Sequence, residues 1–299
     1  MSKLTISGSP RRIAGHEDPA KRHKAVAPLT VKLAFAWLAG VALIGVGAEL
    51  LSPYDYTAID LRARLAPPAL FGGSWAHPLG TDHLGRDLLS RLIHATRFSL
   101  LIALVGTLIG AVLGTMLGFL AAHFRGVVDD LIMMLVDFQA AVPFVILALA
   151  AIAFLGNNLV LFVCILGLQG WERYARIARG LALAAKERGY VVALRTAGAR
   201  PWRIYAKHIL PNVAGALIVQ VTLNFPETIL WESALSFLGL GIQPPNTSLG
   251  ALLGFGRDYL FNAWWLALFP GCLIVVTTLA MSLCGDWLRD RLDPRLRRA

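Results

Sequence analysis

The feature that most constrains this chain is a series of nearly uncharged apolar runs, each longer than a soluble core normally needs. A helix rises about 1.5 Å per residue, so about 20 apolar residues cover a hydrocarbon layer about 30 Å thick. Such runs extend from Val31 to Leu51, from Phe98 to Ala122, from about Leu131 to Leu155, from about Val213 to Leu238 and from Ala263 to Cys284. A shorter run, from about Leu159 to Trp171, is expected to continue as the helix carrying Arg173, Arg176 and Arg179. The expectation is an all-α membrane protein with six transmembrane helices. Composition agrees: 57% of the 299 residues are apolar and 15% are charged, against about 25% charged in a typical soluble domain. Disordered chains and coiled coils are excluded as starting points.

The charges then orient the spans. The segment before Val31 holds six Lys/Arg against two acids, that from Glu172 to Lys207 nine against two, and that after Cys284 five against three. With six spans these segments share one side, and an excess of positive charge marks the cytoplasm. Both termini are therefore expected in the cytoplasm. The opposite side holds a long loop to Arg97 and a shorter one from about Gly239 to Asn262, whose charges nearly cancel. The net charge of +10 records orientation and gives no sign of nucleic-acid binding.

This divides the chain into a basic tail (1–30), a first anchor (31–52), an extracytoplasmic loop (53–97), a transmembrane core (98–285) and a second basic tail (286–299). The first helix is expected to be an uncleaved anchor, because polar residues precede it and no clear cleavage site follows. Cys164, Cys272 and Cys284 lie inside apolar runs and read as small packed hydrophobes.

Catalytic patterns are missing. None of the six lysines follows a glycine, so no phosphate-binding P-loop exists. No H-E-x-x-H, no G-x-S-x-G and no His/Cys cluster at metal spacing occurs. No metal, cofactor or nucleic acid is expected on this chain.

Gly106, Gly110, Gly114 and Gly118 recur every four residues and so line one helix face, where a neighbouring backbone can approach closely. That neighbour is either another helix of this chain or another subunit. The segment from Glu187 to Asn212 is too polar to span and too apolar for a plain loop. It reads as two short helices broken near Gly198, with Pro201 in a first helical turn. Its apolar face seeks either a partner groove or the lipid interface. Glu232, Glu227 and Asp137 fall within apolar runs. Ionisable groups there line a translocation path or make interhelical hydrogen bonds. In the outer loop Gly80, Asp82, Gly85, Arg86 and Asp87 form either a structural turn or a contact for a soluble partner.

The Glu187–Asn212 segment resembles the cytoplasmic "EAA" loop of ATP-binding-cassette (ABC) importer permeases. Gly198, Leu210 and Pro211 match its landmarks, and Val192-Ala193-Leu194 stands where Glu-Ala-Ala is expected. HPLGTDHLGRDLLSR from His77, ESALSFLGLGIQPPNTSLG from Glu232, AWWLALFPG from Ala263 and GDWLRDRLDPRLR from Gly285 are similar to one branch, the second permease of dipeptide, oligopeptide and nickel importers. The resemblance implies a type I importer permease (MetI-like) fold. It implies a coupling loop (180–212) in which Ala193, Ala197, Gly198, Arg200, Trp202, Ile204, Leu210 and Pro211 meet an ATPase. The implied partners are a homologous permease, two ATPase subunits that use ATP and Mg, and an extracytoplasmic binding protein. The rival readings are an ion-driven secondary transporter and, further off, an intramembrane enzyme. The first calls for inverted repeats and ion-coordinating broken helices; the second calls for a nucleophile–base or metal set.

Overall fold

The computed structural model describes residues 28–292, and every described element with regular structure is helical. The remaining parts of the two basic tails lie outside the described residues. Helix α1 (Leu29–Val46) is followed, after Gly47, by a single extra turn, α2 (Ala48–Leu51). An outer segment with two 3-10 turns leads to α3 (Leu88–Phe124), the longest helix. Then come α4 (Gly126–Ala141), α5 (Phe144–Leu155), α6 (Leu159–Gly167) and α7 (Trp171–Lys186). Two short helices, α8 (Gly189–Thr196) and α9 (Pro201–Ile204), pass through one π turn at Tyr205–Ile209 into α10 (Leu210–Phe237). Helices α11 (Leu249–Arg257) and α12 (Trp265–Leu292) complete the order.

Four helical stretches are long and apolar enough to span alone: Leu29–Val46, Leu88–Phe124, Pro201–Phe237 and Trp265–Leu292. The run expected as a straight third span is instead α4 and α5, bent by 97°. The residue before a proline avoids helical torsions, and Val142, before Pro143, is extended at ψ 128°. The fourth run does not continue unbroken to Arg173. It stops at Gly167, and α7 restarts after Gly170, whose φ is +85°. A Cβ at Gly170 would lie 2.6 Å from Oδ1 of buried Asn224, so a distant side chain helps set this break.

Two boundaries also move. Helix α3 begins ten residues before Phe98, so the last part of the segment expected as outer loop is already helical. Asp87 starts the helix by accepting from the Ser90 N–H at 2.8 Å and the Ser90 hydroxyl at 2.7 Å, an N-cap arrangement. Helix α12 runs past the expected core limit at 285 to Leu292.

The glycine row of α3 is the spine of the packing. Gly106 faces Leu166, and a Cβ at Gly110 would come within 2.8 Å of the Gly167 carbonyl oxygen. At Gly114 and Gly118 it would run into the carbonyls of Trp171 and Ala175. Helix α7 answers with Ala175, Ala178, Ala182 and Ala185, all buried. Small residues on both helices bring the backbones together, which strengthens dispersion contacts. The Lys186 ammonium closes the seam by donating to the carbonyls of Ala122 and His123 at the end of α3, where helix carbonyls lack backbone partners.

Candidate functional site

The segment between α7 and α10 folds back as a compact shelf. Val191, Ile204 and Ile209 are buried in one cluster with Ala178, Ala182, Ala185 and Val213. These three side chains pin α8, α9 and the π turn to the ends of α7 and α10. The Asn212 amide donates to the Tyr190 hydroxyl at 3.0 Å, tying α8 to the first turn of α10.

Helix α8 ends at a glycine. The Gly198 N–H donates to the Arg195 carbonyl and the Ala199 N–H to the Leu194 carbonyl, both at 3.0 Å. Gly198 has φ +75°. This is the Schellman arrangement, in which glycine takes the left-handed position without a Cβ penalty. Pro201 then opens α9 at its first position, where a missing N–H costs nothing.

The outer face of the shelf is apolar and exposed. Trp202 is 62% exposed and Val192 49%. Ala193, Ala197, Gly198, Arg200, Leu210 and Pro211 are exposed with them. Of the residues expected to meet an ATPase, Ile204 alone is buried and acts as an anchor. Arg195, Arg200 and Arg203, interleaved with them in sequence, are also exposed. The segment thus presents exposed apolar and cationic side chains on a backing of buried anchors.

A second constellation runs along α7. Arg173 pairs with Glu227 of α10, its Nη2 donating to Oε1 at 3.0 Å, while Gln169 donates to the same carboxylate at 3.0 Å. Arg176 donates to Asp137 of α4 at 2.8 Å. Arg179 makes two bonds to Asp129 of α4, both at 2.6 Å. The three arginines are spaced by three residues and form a slanting stripe, while Tyr174, Ala175 and Ala178 face α3. Sequence reasoning picked out Glu227 and Asp137 but missed their guanidinium partners and Asp129. The three-residue arginine spacing marks the stripe, but nothing in the local sequence pairs it with these acids.

Glu232 is elsewhere. It is fully buried and accepts from Ser99 of α3 at 3.0 Å and Ser236 of α10 at 2.7 Å. The Ser99 hydroxyl oxygen in turn accepts the Leu249 N–H of α11 at 3.1 Å. The carboxylate therefore knots three helices and does not join the stripe.

The outer-loop motif builds a turn against the start of α3. Asp82 accepts from the Leu84 and Arg86 backbone N–H groups, and pairs with Arg86 at 2.7 Å and Arg91 at 2.9 Å. Asp87 lies 3.0 Å from His77 Nδ1. Gly80 and Gly85 have φ of +83° and +74°. The Trp265 indole donates to the Thr81 carbonyl at 3.2 Å, fixing the turn to α12. His83 stacks on Tyr259; burial holds its imidazole below the usual range, although neighbouring Asp82 pulls the other way. Among the described residues no His, Cys, Asp and Glu cluster suited to a metal occurs.

Residues 114–298 match the family described as binding-protein-dependent transport system inner membrane component. The chain is 44% identical to the di/tripeptide transport system permease protein DppC of Pseudomonas aeruginosa (strain UCBPP-PA14), over 84% of each chain. It is 42% identical to the dipeptide transport system permease protein DppC of Escherichia coli (strain K12), over 86% of each. It is 38% identical to the probable D,D-dipeptide transport system permease protein DdpC of the same organism, over 90% of this chain and 88% of that one. In fold it is similar to a chain of the inward-facing MetNI methionine ABC transporter, with a TM-score of 0.54 at 20% identity, over 69% of this chain and 98% of that chain.

Proposed function

Because the chain belongs to the inner membrane components of binding-protein-dependent transport systems, and is a permease subunit of an ABC importer that leaves ATP hydrolysis to separate subunits, we propose that it imports short peptides and couples their passage to ATP through the α8–α9 shelf. The relatives named for dipeptide and di/tripeptide transport support the solute class.

In this reading the chain crosses the inner membrane six times, with both termini in the cytoplasm. The bent pair α4–α5 is the third crossing and the broken pair α6–α7 the fourth. A homologous permease supplies the other half of the path, two ATPase subunits bind the shelves, and an extracytoplasmic binding protein delivers the solute. Glu227 and Asp137 border the path, whereas Glu232 braces it.

The observation that carries the proposal is the exposed apolar knob around Trp202 on a shelf pinned by Val191, Ile204 and Ile209. Apolar anchors with a charged rim are how a helix docks in a partner's groove. Closure of the ATPases would move the shelf as one body. The Tyr190–Asn212 bond and the π turn would pass that movement to α10, shifting the population between inward-open and outward-open states.

The test is reconstitution of the complete transporter in vesicles with its binding protein. ATP-dependent accumulation of glycyl-leucine is the expected result. Ion-driven uptake by this chain alone would refute the proposal.

A further inference from the structure

The arginine stripe of α7 poses a physical question. Arg173 and Arg176 have side chains 45% and 47% exposed, and that of Asp137 is 73% exposed. They sit on a helix packed against the middle and lower part of α3, opposite Gly114 and Gly118. In the reading in which α6 and α7 make the fourth crossing, ionised groups on α7 cannot face lipid at acceptable cost, so they face water or protein. Each arginine already has a carboxylate on a neighbouring helix, and Arg173 also has Glu172 at 3.6 Å. A further protein partner would bury three neutralised pairs and return little for their desolvation. Water is the environment that suits them.

A groove of about 750 Å3 opens between α7, α10 and α12, lined by Arg176, Asn212, Gln220 and Arg289 among mostly aliphatic residues. Arg176 of the stripe and Asn212, in the first turn of α10, both line it. Three residues of α7 rise about 4.5 Å, and an extended dipeptide is about 7 Å long. The charged ends of one dipeptide therefore reach two successive rungs.

We propose that the Arg173–Glu227 and Arg176–Asp137 pairs form a transient binding station for zwitterionic solutes in the path. This rests on the short-peptide reading above. The solute carboxylate takes a guanidinium and its ammonium takes the released acid, so partners are exchanged and no net charge is left in the membrane. Because paired sites bind only by exchange, the station holds solute weakly enough to release it. An uncharged peptide analogue has nothing to exchange and gains nothing from the stripe.

The test uses the assembled transporter in vesicles, with Cys164, Cys272 and Cys284 replaced by alanine. Gly180→Cys, four residues on from Arg176 in the same groove and with open space at its Cβ, is exposed to a membrane-impermeant sulfonated methanethiosulfonate, with Leu279→Cys on α12 as the lipid-facing control. Position 180 is expected to react and position 279 to stay unlabelled. At a glycyl-leucine concentration about ten times its dissociation constant, labelling at 180 slows about tenfold by mass action; N-acetyl-glycyl-leucine amide leaves it unchanged. No labelling at 180, equal protection by both compounds or by neither, or protection that survives Arg176→Gln together with Asp137→Asn, overturns the proposal. Should Gly180→Cys fail to assemble, Ala216→Cys carries the same measurement. A transporter that hydrolyses ATP without accumulating glycyl-leucine refutes the solute reading alone, since labelling and protection are read without transport.

Discussion

The Ala199 N–H donates to the Leu194 carbonyl at 3.0 Å, closing α8 across Gly198. Nothing lies within 4 Å of the Cβ that a larger residue would place at 198. The glycine is therefore required by its backbone torsion and not by packing within this chain.

Gly198→Asp accordingly costs about 1 kcal/mol of backbone strain and leaves the protein in the membrane. Its effect falls on coupling: ATP hydrolysis by the assembled complex continues while uptake is lost. Measuring both rates on one vesicle preparation checks this, and wild-type uptake would contradict it.

Gly110→Leu acts through packing. The new side chain meets the Gly167 carbonyl, a backbone atom that cannot step aside. Overpacking of this kind costs about 1–3 kcal/mol or more. The yield of intact complex should fall sharply, with Gly40→Leu unaffected because its Cβ site is open. Equal yields would contradict the α3–α7 seam as the spine of the fold.

Asp129→Asn removes the charge that receives two bonds from Arg179. Hydrogen bonds to charged groups contribute about 1.5–3 kcal/mol, so the thermal transition of the complex should drop by several degrees. Asp258→Asn, at an exposed pair on the loop after α11, should move it little. Equal shifts would contradict the difference in burial.

His83 supplies a pH dependence. Its folded pKa lies below the unfolded value, because burial against Tyr259 disfavours the imidazolium. The unfolded chain then binds more protons between the two values, so stability rises with pH across that window. Stability from this group is complete above the usual imidazole range and is lost as pH falls through and below it. Hydrogen exchange of residues 80–87 should quicken on acidification, and His83→Phe should flatten the response. An unchanged response in the variant would contradict the assignment.

Much of this was legible in the sequence, and the rest was not for identifiable reasons. Apolar runs mark the helices because lipid demands them, and the glycine period marks the packed face of α3. Gly198 and Pro201 mark the shelf break through local torsions alone. By contrast, the break at Gly170 depends on Asn224, more than fifty residues away. The bend at Pro143 has a local cause, but its 97° angle does not follow from proline alone. The start of α3 at the Asp87 cap is hidden from hydropathy because Arg91, His94 and Arg97 interrupt it while their backbone stays helical. The ion pairs of α7 join residues 39 to 54 positions apart, which no local pattern reveals.

The central claim is that the α8–α9 shelf docks an ATPase. The most direct measurement places a benzophenone amino acid at position 202, in place of Trp202, and irradiates the complete transporter in vesicles. The account predicts an adduct with the ATPase subunit whose yield changes when ATP is added, and none from the same probe at position 279. Adducts with lipid alone, in a complex that still imports, would make the shelf an interfacial helix and contradict the account.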